Sequence, residues 1–401
     1  MPTDEGARPR WRIASIYFFQ AFAAGSFLTR IPDIQRGLAI DEGVLGLALF
    51  GQSLGSIVFF PFASSVIERT GTRPVILLGL PALALMVALV SVAPHPALMS
   101  LALAGYGAIF SFTGVAMNVE ADRIEAVTGQ RVLGLCHGLS SLGLLLVSLL
   151  GALLRGIGTS PVLHLWGLLP FVVLASLLLV LPMRPSPPRA HSASGPRRVI
   201  ARPSRMTFLL VGVLISGGVL EGMSRTWSII YMRDTFTAPD WLDSLALPAF
   251  LLSMSGGRLL GDGWATRFGP ARTARVLLAV AGAGLLLVAA APIIPVGLFG
   301  FAVIGLGTSV LYPLSISAAA RLGDRPASEN VAAITLVGSL IVLGVPPALG
   351  SIANHWGIRT IFVVVLPVLA LSFLLAPLLD RRRGGAATPP GSSPHPPRAS
   401  G

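Results

Sequence analysis

The chain alternates between long apolar runs and short polar segments. A helix needs about 20 apolar residues to cross a bilayer, and the sequence contains twelve runs of roughly this length. They cover residues 13–31, 43–66, 74–93, 97–119, 132–154, 162–182, 206–230, 244–265, 275–293, 296–319, 331–353 and 359–379. Lipid offers backbone groups no partner, so a spanning chain is helical or a closed barrel, and barrel strands need only about ten alternating residues. The pattern predicts an all-α membrane protein with twelve transmembrane helices.

Composition supports this class and argues against nucleic-acid binding. Hydrophobic residues make up 53% of the chain and charged residues 11%, whereas soluble domains carry about 25% charged residues. The net charge is +12, but the basic residues are all arginines and lie mostly in short loops. A nucleic-acid surface would gather them on one patch, so we expect no nucleic-acid partner.

The arginines also predict an orientation. They concentrate in alternate loops, and cytoplasmic loops carry the excess of positive charge. This rule places both termini in the cytoplasm, with the chain in a bacterial inner membrane. Arg8, Arg10 and Arg12 precede an apolar run that resembles a signal peptide. We interpret that run as an uncleaved first span, since its removal would leave an odd number of spans.

A polar segment divides the runs into two sets of six. Residues 183–205 are rich in Pro, Ser and Arg and are predicted to form a flexible cytoplasmic linker. The linker separates an N-terminal six-helix bundle, 1–182, from a C-terminal one, 206–383. The tail 384–401 cannot bury a core and is predicted to be disordered.

The two sets of runs are weakly alike. "FASSVIERTG" (62–71) aligns with "LGDGWATRFG" (260–269) at an offset of 198 residues. At an offset of 200, Gly105 pairs with Gly305 and Gly107 with Gly307. Two pseudo-symmetric six-helix halves are typical of transporters that rock about a central site.

The loop "SSVIERTGTRP" (64–74) resembles the signature G-x-x-x-D-R-x-G-x-R of the major facilitator superfamily. Arg69, Gly71 and Arg73 match that signature, Glu68 stands at its aspartate and Ser64 at its first glycine. The segments "VAMNVEADRIE" (115–125), "HGLSSLG" (137–143), "EGMSRTWSIIYMRD" (221–234) and "GRLLGD" (257–262) are similar to a bacterial branch of that superfamily. The resemblance implies secondary transport by alternating access and leaves the substrate open.

Two charges are predicted inside the seventh span. Glu221 and Arg225 are one helical turn apart and share a face with Gly217, Ser224 and Ser228. A charge at the bilayer centre costs about 2.5–3.5 kcal/mol and normally faces a bundle interior or a water-filled cavity. The pair is either a structural lock or a proton-coupling site in which Glu221 takes up the proton. His137, in the fifth span, is a second candidate relay or a structural side chain.

The signature-like loop predicts a cytoplasmic gate rather than a binding site. Charges there can bridge the halves in one state and separate in the other. The gate candidates are Glu68, Arg69, Gly71, Arg73, Arg258 and Asp262. Arg30 and Asp33, at the far end of the first span, are predicted to form an entrance or an outer latch.

Polar and aromatic residues within the spans are candidates for the wall of a cavity between the halves. They are Tyr17, Gln20, Gln52, Tyr106, Asn118, Glu221, Arg225, Trp227 and Tyr312. Two glycine pairs, Gly51 with Gly55 and Gly134 with Gly138, have the spacing that lets helices approach closely.

Other chemistry is absent from the sequence pattern. There is no phosphate-binding G-x-x-x-x-G-K-[ST], no H-E-x-x-H and one cysteine, Cys136. We therefore expect a non-enzyme without metal or cofactor, working as a monomer. Its expected partners are the lipid bilayer, protons and a small organic substrate. Export of drug-like compounds and uptake of a sugar or organic acid both stay open, and a non-transporting sensor or scaffold with the same fold is the alternative.

Overall fold

A computed structural model of the chain describes residues 4–183 and 203–380. Most of the predicted linker and the whole predicted tail lie outside these residues. The described part contains helices and no strands, which confirms the all-α fold class.

The helices of the N-terminal half (residues 4–183) are α1 (Asp4–Leu38), α2 (Glu42–Phe59), α3 (Ala63–Thr70), α4 (Thr72–Ser91), α5 (Pro96–Thr128), α6 (Leu133–Gly156) and α7 (Pro161–Val180). Those of the C-terminal half (residues 203–380) are α8 (Arg205–Thr235), α9 (Asp240–Ser244), α10 (Ala246–Phe268), α11 (Pro270–Ala290), α12 (Ile294–Thr308), α13 (Leu311–Arg321), α14 (Ala327–Leu343), α15 (Val345–Trp356), α16 (Thr360–Val364) and α17 (Leu366–Leu375). Short 3₁₀ turns occupy Phe60–Phe62 and Ala376–Asp380.

Several predicted spans are split because proline interrupts them. Pro61 lies in the turn between α2 and α3, and Pro313, Pro346 and Pro367 lie just inside α13, α15 and α17. Proline has no N–H to donate and clashes with the preceding turn, so a helix bends or restarts there. Each split pair still follows one predicted span.

Ten helical segments in the described part are long and apolar enough to cross a membrane. The two remaining predicted spans coincide with α1 and α10, which contain Arg30 and Arg258 among other charged residues. Large apolar side chains point away from the protein: Leu78 and Phe171 are each 70% exposed and Leu374 is 71% exposed. Such a surface suits lipid rather than water, and the chain is a multi-pass membrane protein.

The bundle has two ends, named here after one arginine each. The Arg30 end contains the turns after α1, α4, α6, α8, α11 and α15; the Arg69 end contains the turns after α3, α5, α7, α10 and α13.

Glycines at the Arg69 end support the predicted repeat. Gly71 ends α3 with φ 81° and ψ 167°, and Gly269 ends α10 with φ 84° and ψ 150°. Positive φ is accessible to glycine at little cost, so the same turn closes the second span of each half. The offset of 198 residues therefore aligns equivalent positions.

The offset of 200 used for the fourth span of each half is wrong. A Cβ on Gly107 would meet the carbonyl of Gln52 in α2, and one on Gly305 would meet the carbonyl of Phe250 in α10. Gly107 and Gly305 thus perform the same packing role, and they are 198 residues apart. The letter match paired each with a neighbour two positions away because glycine recurs at that spacing in both helices.

One predicted glycine pair brings helices together and the other does not. A Cβ on Gly51 or Gly55 would meet the backbone of Ser100 or Ala104, so α2 and α5 touch through their main chains. A Cβ on Gly134 or Gly138 would meet nothing within 4 Å. The second prediction is wrong for this structure, since both glycines lie on an exposed face of α6.

Candidate functional site

A cavity lies between the two halves and has two lobes. The first lobe, about 270 Å³, is lined by α1, α5 and α6 of the N-terminal half and by α8 and α10 of the C-terminal half. The second, about 250 Å³, adds α2, α14 and α15. Ala24, Leu28, Phe110 and Arg225 line both lobes, so the lobes are neighbours in one cavity.

A charged cluster lies at the cavity, and its two arginines line the wall while Glu221 lines neither lobe. Glu221 contacts Arg225 at 2.6 Å with one carboxylate oxygen and Arg258 at 3.2 Å with the other. Arg258 also donates to the carbonyl of Ser309 at 3.2 Å. Both guanidiniums line the first lobe. The predicted pair on one helix is therefore a three-member cluster that joins α8 to α10.

Three buried donors at the cavity have no hydrogen-bond partner among the described residues. They are Gln20 Nε2, Tyr106 Oη and Arg225 Nε. Gln20 is 7% exposed and Tyr106 is 3% exposed. A buried polar group without a partner costs about 1–3 kcal/mol, so these atoms indicate where a ligand or water would bind.

A second polar group lies in the N-terminal half. Tyr17 donates to Asn118 Oδ1 at 2.7 Å, and its ring packs edge-on against His137 with the centroids 5.6 Å apart. His137 lines the first lobe, whereas Tyr17 and Asn118 line neither lobe. Tyr17 therefore packs against a lining residue, His137, while neither Tyr17 nor Asn118 lines a lobe in this state.

Of the remaining cavity candidates, two line the second lobe and one lines neither lobe. Gln52 and Trp227 line the second lobe. Trp227 does so although it is 1% exposed and lies on another face of α8 from Glu221. Tyr312 is 42% exposed and lines neither lobe.

At the Arg30 end, Asp33 is surrounded by arginines. It accepts from Arg30 at 3.1 Å, from Arg36 at 2.8 Å and from Arg155 at 3.0 Å. Arg30 is 1% exposed, and its Nε also donates to His164 Nδ1 at 2.8 Å. Burial raises the pKa of Asp33, but Arg155 and Arg30 outweigh it and hold the pKa below its ordinary value.

The same network crosses to the C-terminal half. Arg155 donates to the carbonyl of Asp240 at 2.9 Å and to Ser244 Oγ. Arg36 reaches the Asp240 carboxylate at 3.2 Å. Together with Asp33, these side chains connect α1 and α6 to α9.

Arg233 makes a second crossing at this end. It donates to the carbonyl of Pro32 and to Gln35 Oε1, each at 3.0 Å. The end of α8 is thereby fastened to the end of α1.

Glycine contacts complete the closure of the Arg30 end. A Cβ on Gly46 of α2 would meet the carbonyl of Pro346, and one on Gly350 of α15 would meet the carbonyl of Glu42. The two helices touch through their backbones across the halves. Only residues without a side chain permit that approach.

One acidic residue in this closed region has a carboxylate oxygen without a hydrogen-bond partner among the described residues. Asp243 is 2% exposed and its Oδ1 has no hydrogen-bond partner in the described part of the chain. Burial raises the pKa of Asp243 to about 6, although Arg155 nearby opposes the shift. The closed arrangement therefore favours the protonated form of this side chain.

The Arg69 end differs. Glu68, Arg69 and Asp262 are exposed there. Arg73 donates to the carbonyls of Val180 and Leu181, and so caps α7 within its own half.

Arg258 does not join Asp262 in a gate in this structure. It lies in the cavity wall because Glu221 offers it a carboxylate oxygen at 3.2 Å. The other gate residues remain predictions for a different state.

Several residues of the site were missed from the sequence. Ser140 and Ser141 line the first lobe with His137, and their helical spacing within "HGLSSLG" could have placed them on its face. Arg155 and Asp240 gave no such signal, since their partners are 122 and 85 residues away along the chain. Within residues 4–183 and 203–380 no group of three His, Cys, Asp or Glu side chains could hold a metal ion.

Comparison with known proteins agrees with this geometry. A family model described as Major Facilitator Superfamily matches residues 13–341. A protein of Sinorhizobium fredii described as an uncharacterized transporter is 27% identical over 377 residues, covering 92% of this chain and 98% of its own length. Membrane protein MosC of Rhizobium meliloti is 25% identical, covering 94% of this chain and 91% of its own.

Solved structures of similar shape are transporters. The nucleoside transporter NupG superposes with a TM-score of 0.74 at 12% identity, covering 92% of this chain and 98% of its own. A bacterial homolog to human lysosomal transporter Spinster, in an inward-facing and occupied conformation, gives 0.73 at 14% identity, covering 93% and 96%. The E. coli fucose:proton symporter FucP gives 0.61 at 17% identity, covering 93% and 98%. At these identities the likeness shows the fold.

Proposed function

The chain belongs to the major facilitator superfamily, and from this premise we propose that it is a secondary active transporter of a small organic molecule. The observation that carries the proposal is the cavity walled by both halves and closed at one end by the Asp33 network. Closure at one end with exposed charges at the other is the arrangement that alternating access requires. Rocking the halves would open the Arg30 end and bring the Arg69 end together.

We place both termini and the Arg69 end in the cytoplasm of a bacterial inner membrane. The arginine distribution supports this orientation. The state described above would then open toward the cytoplasm. The chain would act as a monomer, because the cavity is formed within one chain.

The energy source we propose is the proton gradient, with Glu221 as the coupling residue. Glu221 is the acidic member of the cavity cluster and contacts two arginines that could exchange it for a substrate. His137, on the opposite wall, is the second candidate. A potential of 100 mV contributes about 2.3 kcal/mol for each charge moved, which biases a two-state cycle more than tenfold.

The first experiment identifies a substrate and its direction together. Metabolites and antibiotic tolerance are compared between a deletion strain and an overexpressing strain. Any compound that changes is then tested by counterflow in vesicles containing the purified protein. Binding that changes the conformation without flux would favour the sensor alternative over transport.

The coupling role has its own test in the same vesicles. In Glu221→Gln, we expect exchange of substrate to continue while accumulation driven by a pH gradient is lost. Glu329→Gln, on an exposed turn of α14, is the matched control and should behave as wild type. Fully proton-driven accumulation by Glu221→Gln would exclude Glu221, and His137→Asn would then be examined in its place.

A further inference from the structure

The charges on the cavity wall do not balance. Arg225 and Arg258 both line the first lobe and share one carboxylate, that of Glu221. Glu221 itself lines neither lobe, and no other aspartate or glutamate of the described residues lines one. Two guanidiniums and one carboxylate leave a net positive charge at membrane depth, where an unpaired charge is expensive. An anion entering the cavity would remove that cost.

The unsatisfied donors point to the same kind of ligand. Arg225 Nε lacks a partner, and so do Gln20 Nε2 across the first lobe and Tyr106 Oη in the second lobe. All three donate a hydrogen bond, and an oxyanion accepts several at once. Ser140, Ser141 and Ser255 add hydroxyl groups to the first lobe.

From these two observations, and resting on the proposed transport function, we propose that the substrate is a small organic anion. Its acidic oxygen atoms bind Arg225 and Arg258 in competition with Glu221, and its remaining polar groups reach Gln20 and Tyr106. Guanidinium forks suit planar oxyanions in particular. A carboxylate and a phosphate ester share this chemistry.

Competition links the anion to the proton. When Glu221 is ionised it occupies both arginines, and when it is protonated it releases them. The anion and the proton on Glu221 therefore bind together and move in the same direction. His137 and Tyr106 face the same cavity from α6 and α5, so His137→Asn is included in any measurement against pH.

The test is ligand binding to the purified transporter in lipid nanodiscs, read as a shift of the thermal unfolding midpoint. The probes are matched pairs in which one member is an anion and the other a neutral analogue: glucuronate with glucose, benzoate with benzamide, and glycerate or glycerol 3-phosphate with glycerol. The last set, in which two anions share one neutral analogue, separates carboxylates from phosphate esters. We expect at least one anion to stabilise the protein while its neutral analogue does not.

Two substitutions should move the affinity in opposite directions. Arg225→Gln removes a charge-assisted hydrogen bond and should weaken anion binding roughly tenfold or more. Glu221→Gln removes the competing carboxylate and should strengthen anion binding. It should also abolish the dependence of anion binding on pH. Arg272→Gln, which removes the same charge from an exposed position on α11, should leave binding unchanged. Arg225→Lys retains the charge if the Gln variant does not fold.

Four outcomes would overturn the inference: no anion in the panel stabilises the protein, the neutral analogues stabilise it equally, binding falls in Glu221→Gln as it does in Arg225→Gln, or binding falls equally in Arg272→Gln. Counterflow separates this inference from the proposed function. Flux of a neutral compound would keep the transporter and reject the anion. An anion that binds tightly but is not transported would keep the inference about the ligand and reject the proposed transport.

Discussion

The Arg30 end and the Arg69 end are the two ends of the same helical bundle, but their charged residues make different contacts. At the Arg30 end, Arg155 is buried, and it contacts both Asp33 in its own half and Asp240 in the other half. At the Arg69 end, Glu68 and Arg69 lie exposed. Exposed charges contribute about 0–1 kcal/mol, whereas breaking a buried pair costs several.

This difference indicates which end holds the molecule in the state described. The contacts at the Arg30 end must break before that end can open, so they determine the free-energy barrier to opening. The Arg69 loop has the composition of a gate, but its charges would find their partners only when that end closes. The signature-like loop would therefore act in one half of the cycle and the Asp33 network in the other.

Removing Arg155 should have the largest effect. Arg155→Met leaves Asp33 and Asp240 facing each other with less positive charge between them, and loss of one member of a buried pair costs about 3–5 kcal/mol. We expect the Arg30 end to open. Spin labels at Val92→Cys and Ile293→Cys, both exposed at that end, should show longer distances between the halves.

The control for this variant is Arg36→Gln, because Arg36 belongs to the same network but its side chain is 50% exposed. It should shift the distances little. Equal distances in wild type and Arg155→Met would mean that the network does not hold this end closed.

The second effect depends on pH and arises from Asp243. The closed end raises the pKa of this side chain from 3.8 to about 6 through burial. Because the closed end binds the proton more tightly than a hydrated carboxyl does, closure is favoured fully below about pH 4. That advantage, about 3 kcal/mol, is lost as the pH rises through 6. Asp33 stays ionised in this window, since its pKa lies below the ordinary value.

Asp243→Asn should therefore keep the Arg30 end closed at neutral pH and remove the change between pH 4 and pH 6. The same pair of spin labels reports it. A variant that opens between these pH values as wild type does would assign the transition to another group.

Backbone contact between α2 and α15 should give a third effect of about 1–3 kcal/mol. In Gly46→Ala the new methyl group meets the carbonyl of Pro346, and a main chain cannot move aside as a flexible side chain can. The closed end should be disfavoured, and transport should slow. Gly37→Ala, where a Cβ meets nothing within 4 Å, is the matched control.

Most of the fold could be predicted because membrane spans have a local signature. The length of the apolar runs located the spans. The sequence similarity around Arg69 and Arg267 located the repeat, which the turns at Gly71 and Gly269 confirm. The pairing of Glu221 with Arg225 was also local, since the two residues are one helical turn apart.

The cavity's electrostatics could not be predicted in the same way. Arg258 reaches Glu221 across 37 residues of sequence, and Arg155 reaches Asp33 across 122. Such pairs depend on how α8 meets α10 and how α1 meets α6, which no periodicity reports. The same holds for Tyr312: its place on the tenth span was evident from the sequence, but its absence from both lobes in this state was not.

The smallest effect is expected at Arg69, and it separates the two ends most directly. In Arg69→Gln the Arg30 end should stay closed to the same extent, because an exposed arginine adds about 0–1 kcal/mol to the state described. If Arg69 bridges the halves once the Arg69 end closes, the same variant should still reduce flux. Labels at Thr70→Cys and Phe268→Cys, exposed at that end, should then show a smaller closed population in the presence of substrate. Unchanged flux together with unchanged distances would assign Arg69 to a solvated loop and leave the Asp33 network as the element that controls the cycle.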